Sequence, residues 1–299
     1  MCGIVGLFLK DATLEPQLGR LTAGMLVVMS DRGPDSAGFA VYGHDDAGAC
    51  KLTLRGPAGW DPAAVALRLG EALGGPVSVV RHDDHAVLRL PASLAERAPA
   101  ALAAVAPGVE VVATGARMEL YKGVGLPAAV TDRFGLAGMA GTHAIGHTRM
   151  ATESAVTIAG AHPFSTGPDM CLVHNGSLSN HNDWRRRLRR EGLSFATEND
   201  TEVAAGYLSW RLGQGDSLET ALTGALDDLD GFYTFVVGTR HGFGVLRDPV
   251  ACKPAVLAET DRYVAFGTEY RALSDLPGIE TARIVEPAPG RVYVWERAA

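Results

Sequence analysis

The chain has 299 residues, 47% of them hydrophobic and 20% charged, an ordinary globular balance with ample material for a core. Its formal net charge of −7 excludes a nucleic-acid backbone as the main partner, because such binding needs a basic face. No apolar stretch approaches the roughly 18 residues of a membrane span, and the N-terminus lacks the charged and apolar regions of a secretory leader, so a cytoplasmic location is expected.

Ile4 to Leu9 read as a short buried strand, and Leu14, Leu18, Leu21, Met25 and Met29 then recur at helical spacing. The turn residues of S-D-R-G-P-D-S-A-G end that helix, G-F-A-V-Y returns to strand, and Lys51 to Arg55 are expected to pair with it. The character changes over 56–141, which reads as an inserted α/β segment. It opens with Asp61 as N-cap and Pro62 in the first helical turn. Strand-like V-S-V-V and H-A-V-L-R-L follow, then an alanine-rich helical stretch interrupted by Pro99, then V-E-V-V-A-T and M-E-L-Y-K. H-D-D-H, at His82 to His85, reads as a solvated hairpin turn rather than a metal site.

In the second half, A-I-G-H-T-R and M-C-L-V-H-N are strand-like and end in polar residues that suggest a site rim. Helices are predicted near 182–190, 201–212 and 218–226, the first carrying the basic run W-R-R-R-L-R-R-E on a solvated face. Five strand-like segments close the chain, from F-Y-T-F-V-V-G to R-V-Y-V-W. Strands, then helices, then strands predict antiparallel sheets covered by helices, an α+β fold rather than a doubly wound parallel sheet.

Cys2, Cys50, Cys171 and Cys252 are scattered, with no C-x-x-C pair, which argues for reduced thiols and against a structural zinc or iron–sulfur cluster in this chain. No Walker-type or G-x-G-x-x-G loop is present, so neither metal nor cofactor is expected. Cys2 directly follows the start methionine. With Met1 removed it carries a thiol and a free α-amine, whose pKa of ~7.7–8.0 suits a general base. Such a thiol can attack a carbonyl and form a thioester without help from a histidine. Asn175 and Gly176 of H-N-G offer a side-chain amide and a backbone N–H for an oxyanion. Arg149 of G-H-T-R-M-A-T suits a carboxylate. Asp200 of T-E-N-D-T-E suits an ammonium, or simply caps the helix beginning near Thr201.

M-C-G-I-V-G, D-R-G-P-D-S-A-G, G-H-T-R-M-A-T, A-H-P-F, H-N-G and T-E-N-D-T-E occur in the order found in class II (N-terminal nucleophile) glutamine amidotransferases, which the chain resembles from Cys2 to beyond Lys253. The resemblance implies one amidotransferase domain over 2–299 with a four-layer αββα fold, and hydrolysis of L-glutamine to glutamate and ammonia. It places Cys2 as nucleophile, Asn175 and Gly176 as oxyanion hole, and Arg149, Thr152 and Asp200 on the glutamine backbone. Gly33 and Asp35 lie in its glycine-rich loop near the nucleophile, and His162 of A-H-P-F is expected in a structural loop beside the site. Met150 and Glu153 depart from the tryptophan and histidine that members often carry there.

Only Glu296 to Ala299 follow Trp295, so the ammonia acceptor is expected on a partner. The pattern most resembles the amidotransferase subunit of N-methylglutamate synthase and the related part of glutamate synthase. That implies a hetero-oligomer with synthase subunits carrying FMN and iron–sulfur clusters. Two other readings stand beside it: an N-terminal-cysteine acylase acting on another amide, and a non-catalytic scaffold that regulates a synthase.

Overall fold

The computed structural model describes residues 2–45, 48–151 and 156–297. The first strand, β1 (Gly3–Leu9), is buried along its whole length. Successive side chains of a strand point to opposite faces, so both faces of β1 need an apolar cover. Val5, Leu7 and Leu9 pack with Leu18, Leu21 and Met25 of helix α1 (Leu18–Val28). Ile4 and Phe8 pack the other way, against Val173, Val236 and Phe243 of a second sheet.

That division sets the layers. Among the described residues, the first sheet has seven antiparallel strands. Their order is β15 (Arg283–Val285), β13 (Val256–Glu259), β14 (Tyr263–Gly267), β1, β8 (His143–Arg149), β2 (Ser36–Tyr42) and β7 (Met118–Val124). The second runs β16 (Arg291–Glu296), β12 (Gly242–Arg247), β11 (Gly231–Gly238), β10 (Met170–Leu178) and β9 (Phe164–Gly167). Helix α1 and α4 (Pro127–Arg133) cover the first sheet. Helices α5 (His181–Arg190), α6 (Asp200–Gly213) and α7 (Leu218–Asp228) cover the second. The result is the α+β fold expected from the order of elements, in the four-layer αββα arrangement that the family resemblance implies. No helix among the described residues is long and apolar enough to cross a membrane.

A separate four-stranded sheet has the order β4 (Ser78–His82), β5 (His85–Pro91), β3 (Ala49–Arg55) and β6 (Glu110–Gly115). Helices α2 (Pro62–Leu73) and α3 (Ala98–Val105) bury Val65, Leu69 and Leu102 against its Leu52, Leu54 and Leu88. Within 56–141, then, β4 to β6 build this sheet while β7 returns to the large one.

Three local expectations are corrected. Lys51–Arg55 does not pair with β2, because β3 takes β5 and β6 as neighbours and β2 takes β7 and β8. β2 is buried throughout, whereas β3 carries Lys51 and Arg55 only half-buried and suits a sheet with one open side. Pro99 does not interrupt a helix; it stands in the first turn of α3, where its missing N–H leaves no hydrogen bond unmade. The turn between β4 and β5 is solvated at Asp83, but His85 beside it is fully buried.

One carboxylate fastens the exit of the small sheet to the sandwich. Asp169, in the turn between β9 and β10, has φ +52° and is buried. It accepts hydrogen bonds from the amides of Ala116 (2.8 Å), Arg117 (2.9 Å) and Met118 (2.9 Å) between β6 and β7. Asp169→Ala strands all three donors and is expected to cost about 2–4 kcal/mol in equilibrium urea unfolding. A loss well under 1 kcal/mol would show that water replaces the carboxylate there.

Candidate active site

Cys2 lies half-buried just before β1, whose register with β8 sets Gly3 opposite Thr148 and Ile4 opposite His147. Two threonine hydroxyls take the first strand amides: Gly3 N–H donates to Thr148 Oγ1 (3.2 Å) and Ile4 N–H to Thr268 Oγ1 (2.8 Å). The Cys2 carbonyl accepts from Asn175 Nδ2 and from Arg32 Nε, each at 3.2 Å. Arg32 is in turn ion-paired with Glu269, which also holds Arg271 at 2.6 Å. Burial alone would push the Glu269 carboxyl up, but the two guanidiniums outweigh it and hold it below the ordinary value. Nothing in the sequence reading singled out Arg32. Its signal was its place directly before the glycine-rich turn.

That turn brings the backbone close. A Cβ on Gly33 would stand 2.3 Å from the Thr148 carbonyl carbon, so no larger residue fits. Asp35 then staples the chain leaving β8: its N–H donates to the Arg149 carbonyl (3.1 Å) and its Oδ2 accepts from Ala151 N–H (2.8 Å). Arg149, the last residue of β8, is buried and lines the same cleft as Cys2. Thr152 and Met1 lie outside the described residues.

H-N-G does not end its strand. β10 runs on to Leu178, paired with β11 through Asn175 opposite Thr234 and Gly176 opposite Tyr233. Gly176 sits at φ +148°, and a Cβ there would fall 2.0 Å from the Phe232 carbonyl oxygen. Glycine is therefore required both by conformation and by space.

The T-E-N-D-T-E loop is held from three sides. Asn199, not Asp200, is the N-cap of α6, accepting from Thr201 N–H at 2.8 Å, because Asp200 already has helical backbone as the first residue. Glu202 turns back to accept from Ala196 N–H (2.7 Å) and from the N–H and hydroxyl of Thr197 (2.8 and 2.7 Å). Arg185 donates to the carbonyls of Thr197 (2.5 Å) and Asn199 (3.3 Å) and pairs with Glu198 at 2.9 Å. Arg185 is thus buried, against the expectation of a solvated basic face, while Arg186, Arg187, Arg189 and Arg190 are exposed. Asp200 accepts from Leu178 N–H through Oδ2 (2.9 Å). Its Oδ1 faces the Thr201 hydroxyl at 3.4 Å.

Beneath the cleft three buried imidazoles converge. His162 Nε2 and His174 Nδ1 both meet Thr201 Oγ1, at 2.8 and 2.9 Å. His147 Nε2 donates to the His174 carbonyl (3.1 Å), and its ring stacks on His162 at 4.1 Å between centroids. Burial lowers all three pKa values, His147 to about 3, His162 well below the ordinary value, and His174 against the opposing pull of Asp200. These rings are therefore neutral near pH 7, and the 3.8 Å approach of His174 to Asp200 is a polar contact rather than an ion pair.

Cys2, Arg149, Asn175, Gly176 and Asp200 line one cleft of about 610 Å³. Opposite charges, an amide donor, a backbone donor and a thiol there suit a small zwitterion that also carries a carbonyl. The Thr201 hydroxyl underlies the arrangement by joining A-H-P-F, H-N-G and the α6 start. Thr201→Val strands two imidazole nitrogens and is expected to cost about 1–3 kcal/mol in urea unfolding, with Thr201→Ser recovering most of it. Equal losses in both variants would point to the methyl group rather than the hydroxyl.

Comparison with known proteins identifies relatives of this chain. A family model described as a glutamine amidotransferase domain matches residues 147–275. The glutamine amidotransferase-like protein GlxB of Rhizobium meliloti is 60% identical over 297 residues, 99% of this chain and 98% of that protein. A putative glutamine amidotransferase of Methanothermobacter thermautotrophicus is 34% identical over 307 residues, 99% of this chain and 100% of that protein. Glutamine phosphoribosylpyrophosphate amidotransferase from B. subtilis shares the fold, with a TM-score of 0.63 at 19% identity over 99% of this chain. The chain spans about half of that enzyme's length, 47%. Sequence kinship along its whole length establishes that the chain belongs to the glutamine amidotransferases, and its fold is that of the class II members.

Proposed function

We propose that this chain is a glutaminase that hydrolyses L-glutamine through a Cys2 thioester and passes the ammonia to a partner synthase subunit. The observation that carries the reading is the meeting of Arg149 and Asp200 in one cleft with Cys2, Asn175 and Gly176. An amino acid's two backbone charges need such a pair, and an acylase acting on another amide does not.

The chemistry follows from the parts. The buried imidazoles are poor bases, so the proton of the Cys2 thiol passes to the residue's own α-amine once Met1 is removed. The sulfur attacks the side-chain amide carbon of glutamine. Asn175 has one amide hydrogen committed to the Cys2 carbonyl and a second free for the oxyanion, beside Gly176 N–H. Collapse breaks the C–N bond, the protonated α-amine returns its proton to the leaving nitrogen, and ammonia departs. Water then cleaves the thioester to give glutamate and the thiol. Arg149 holds the α-carboxylate and Asp200 the ammonium, with Thr152 assigned to the glutamine backbone by the resemblance.

The acceptor in this reading belongs to an N-methylglutamate synthase or glutamate-synthase-like complex in the cytoplasm, whose other subunits carry FMN and iron–sulfur clusters. The inserted 56–141 segment is the candidate face toward those subunits. Activity gated by them fits the need to avoid wasting glutamine.

Intact mass before and after 6-diazo-5-oxo-norleucine, a glutamine-mimicking alkylator, tests the core of this. The expected result is a chain lacking Met1 that gains one adduct, on Cys2. A retained Met1 with no adduct, even with partner subunits present, would instead favour the scaffold. Asp200→Asn is expected to raise the KM for glutamine about 10- to 100-fold while iodoacetamide still labels Cys2 at the wild-type rate. With the α-amine as base, kcat/KM should rise with pH up to about 8 and then level, since the base works unprotonated. A rise centred below about pH 6 would assign the base to another group.

A further inference from the structure

A second, smaller cavity of about 110 Å³ lies behind the loop that carries Asp200. It is lined by Lys122, Arg55, His85, Glu110, Phe164 and Glu202 among others, and Thr197 borders both it and the glutamine cleft. The reaction described above uses none of these side chains.

Its charges are unevenly satisfied. Arg55 is bonded to Glu110 at 2.6 and 3.2 Å, and Glu202 already accepts three hydrogen bonds from Ala196 and Thr197. Lys122, on β7, is 8% exposed, and its ammonium lies 4.3 Å over the Phe164 ring. Among the described residues it has no hydrogen-bond acceptor. Glu202, Glu110, Arg55 and Cys171 act on it through space, as it acts on His162.

His85, fully buried, supplies the complement. Its Nδ1 faces the Asp84 carboxylate at 2.8 Å, which can only accept, so Nδ1 carries the hydrogen. Burial keeps the ring neutral, which leaves Nε2 as a bare acceptor with no partner. The cavity therefore offers one unmet cationic donor and one unmet neutral acceptor. His85 Nε2 is a fully buried atom without a partner, and the Lys122 ammonium meets the same cavity with only an aromatic face against it.

Size narrows the class. An apolar cavity of ~150 Å³ holds benzene, six heavy atoms, so this one takes about four or five. We propose that the cavity binds a small ligand that carries both an anionic oxygen and its own hydrogen-bond donor, such as bicarbonate, hydrogen phosphate or zwitterionic glycine. Its anionic oxygen sits on Lys122 and its donor on His85 Nε2. The bound ligand rests against Ala196 and Thr197, at the root of the loop that presents Asp200 to the cleft.

Burial lowers the Lys122 pKa to about 8, with Glu202 opposing that shift and Arg55 adding to it. The protonated form binds the anionic oxygen, so affinity is present below that pKa and is lost as pH rises through it. Between pH 7 and 9 the protonated fraction falls about tenfold.

Isothermal titration of the whole protein with bicarbonate, phosphate, glycine and acetate, at pH 7 and 9, tests the site without any glutamine turnover. It therefore stands or falls independently of the glutaminase reading. The expected result is one equivalent of at least one donor-bearing ligand, with a Kd about tenfold weaker at pH 9 after correction for the ligand's own titration. Acetate, which has no donor, should bind at least tenfold more weakly, and Lys122→Met should abolish binding. Saturable binding by none of them, acetate binding as tightly as the rest, or Lys122→Met binding like the wild type would overturn the proposal. If Lys122→Met does not fold, the wild-type pH comparison decides, and an unchanged Kd would overturn it.

Discussion

The structure turns on the two hydrogen bonds accepted by the backbone carbonyl of Cys2. The start of a chain normally frays, because little ties it down. Here Asn175 reaches it from the second sheet and Arg32 from the glycine-rich turn, while Thr148 and Thr268 take the next two amides from the first sheet. The second residue of the chain is thereby fixed at the seam between two sheets. A nucleophile that must also present a free amine has to be terminal. It has to be immobile as well if the attack geometry is to be preset. In the proposed reaction those demands conflict unless the body of the protein grips the terminus by its backbone, as it does here.

The same economy governs the other side of the cleft. Asp200 stands at the first position of α6, and its orientation depends on residues that never enter the cleft chemistry. Asn199 caps the helix, Glu202 folds the preceding loop back on itself, and Arg185 reaches across from α5 to hold two loop carbonyls. Two of these partners, Glu202 and Arg185, are charged where they could have been apolar. A loop has backbone groups to satisfy, and a carboxylate or guanidinium satisfies several at once. The imidazoles beneath do a similar task while neutral, which keeps a water-poor region free of uncompensated charge.

Much of this was legible in the sequence, and the pattern of what was not is physical. Strands buried on both faces, such as β1 and β11, announce themselves as short apolar runs, and a helix start such as Asp61 follows from capping chemistry. The residues gathered in the cleft were visible because each sits in a short stretch whose residue types fit one chemical task. Arg185 departs from the expected solvated face because a charge run looks solvated until the loop that buries its first arginine is known. β3 was given the wrong neighbours because strand pairing between distant segments has no local signature. Thr201 and Arg32 were passed over for the opposite reason. Each does its work through a single hydroxyl or guanidinium contact, and a lone threonine or arginine carries no pattern.

The pairing of β1 also orders events in time. Its partners, β8 and β14, put Ile4 beside His147 and Val5 beside Gly267, so the first strand gains one neighbour after roughly 140 later residues and the other after roughly 260. At synthesis rates of about 5–20 residues per second, the nascent N-terminus has no strand beside it for about 7–30 seconds. An aminopeptidase working at the ribosome would meet an unstructured end throughout that interval and a gripped one afterwards. For the proposed glutaminase, that order would leave the terminus open to processing early and hold it once both neighbours of β1 are in place.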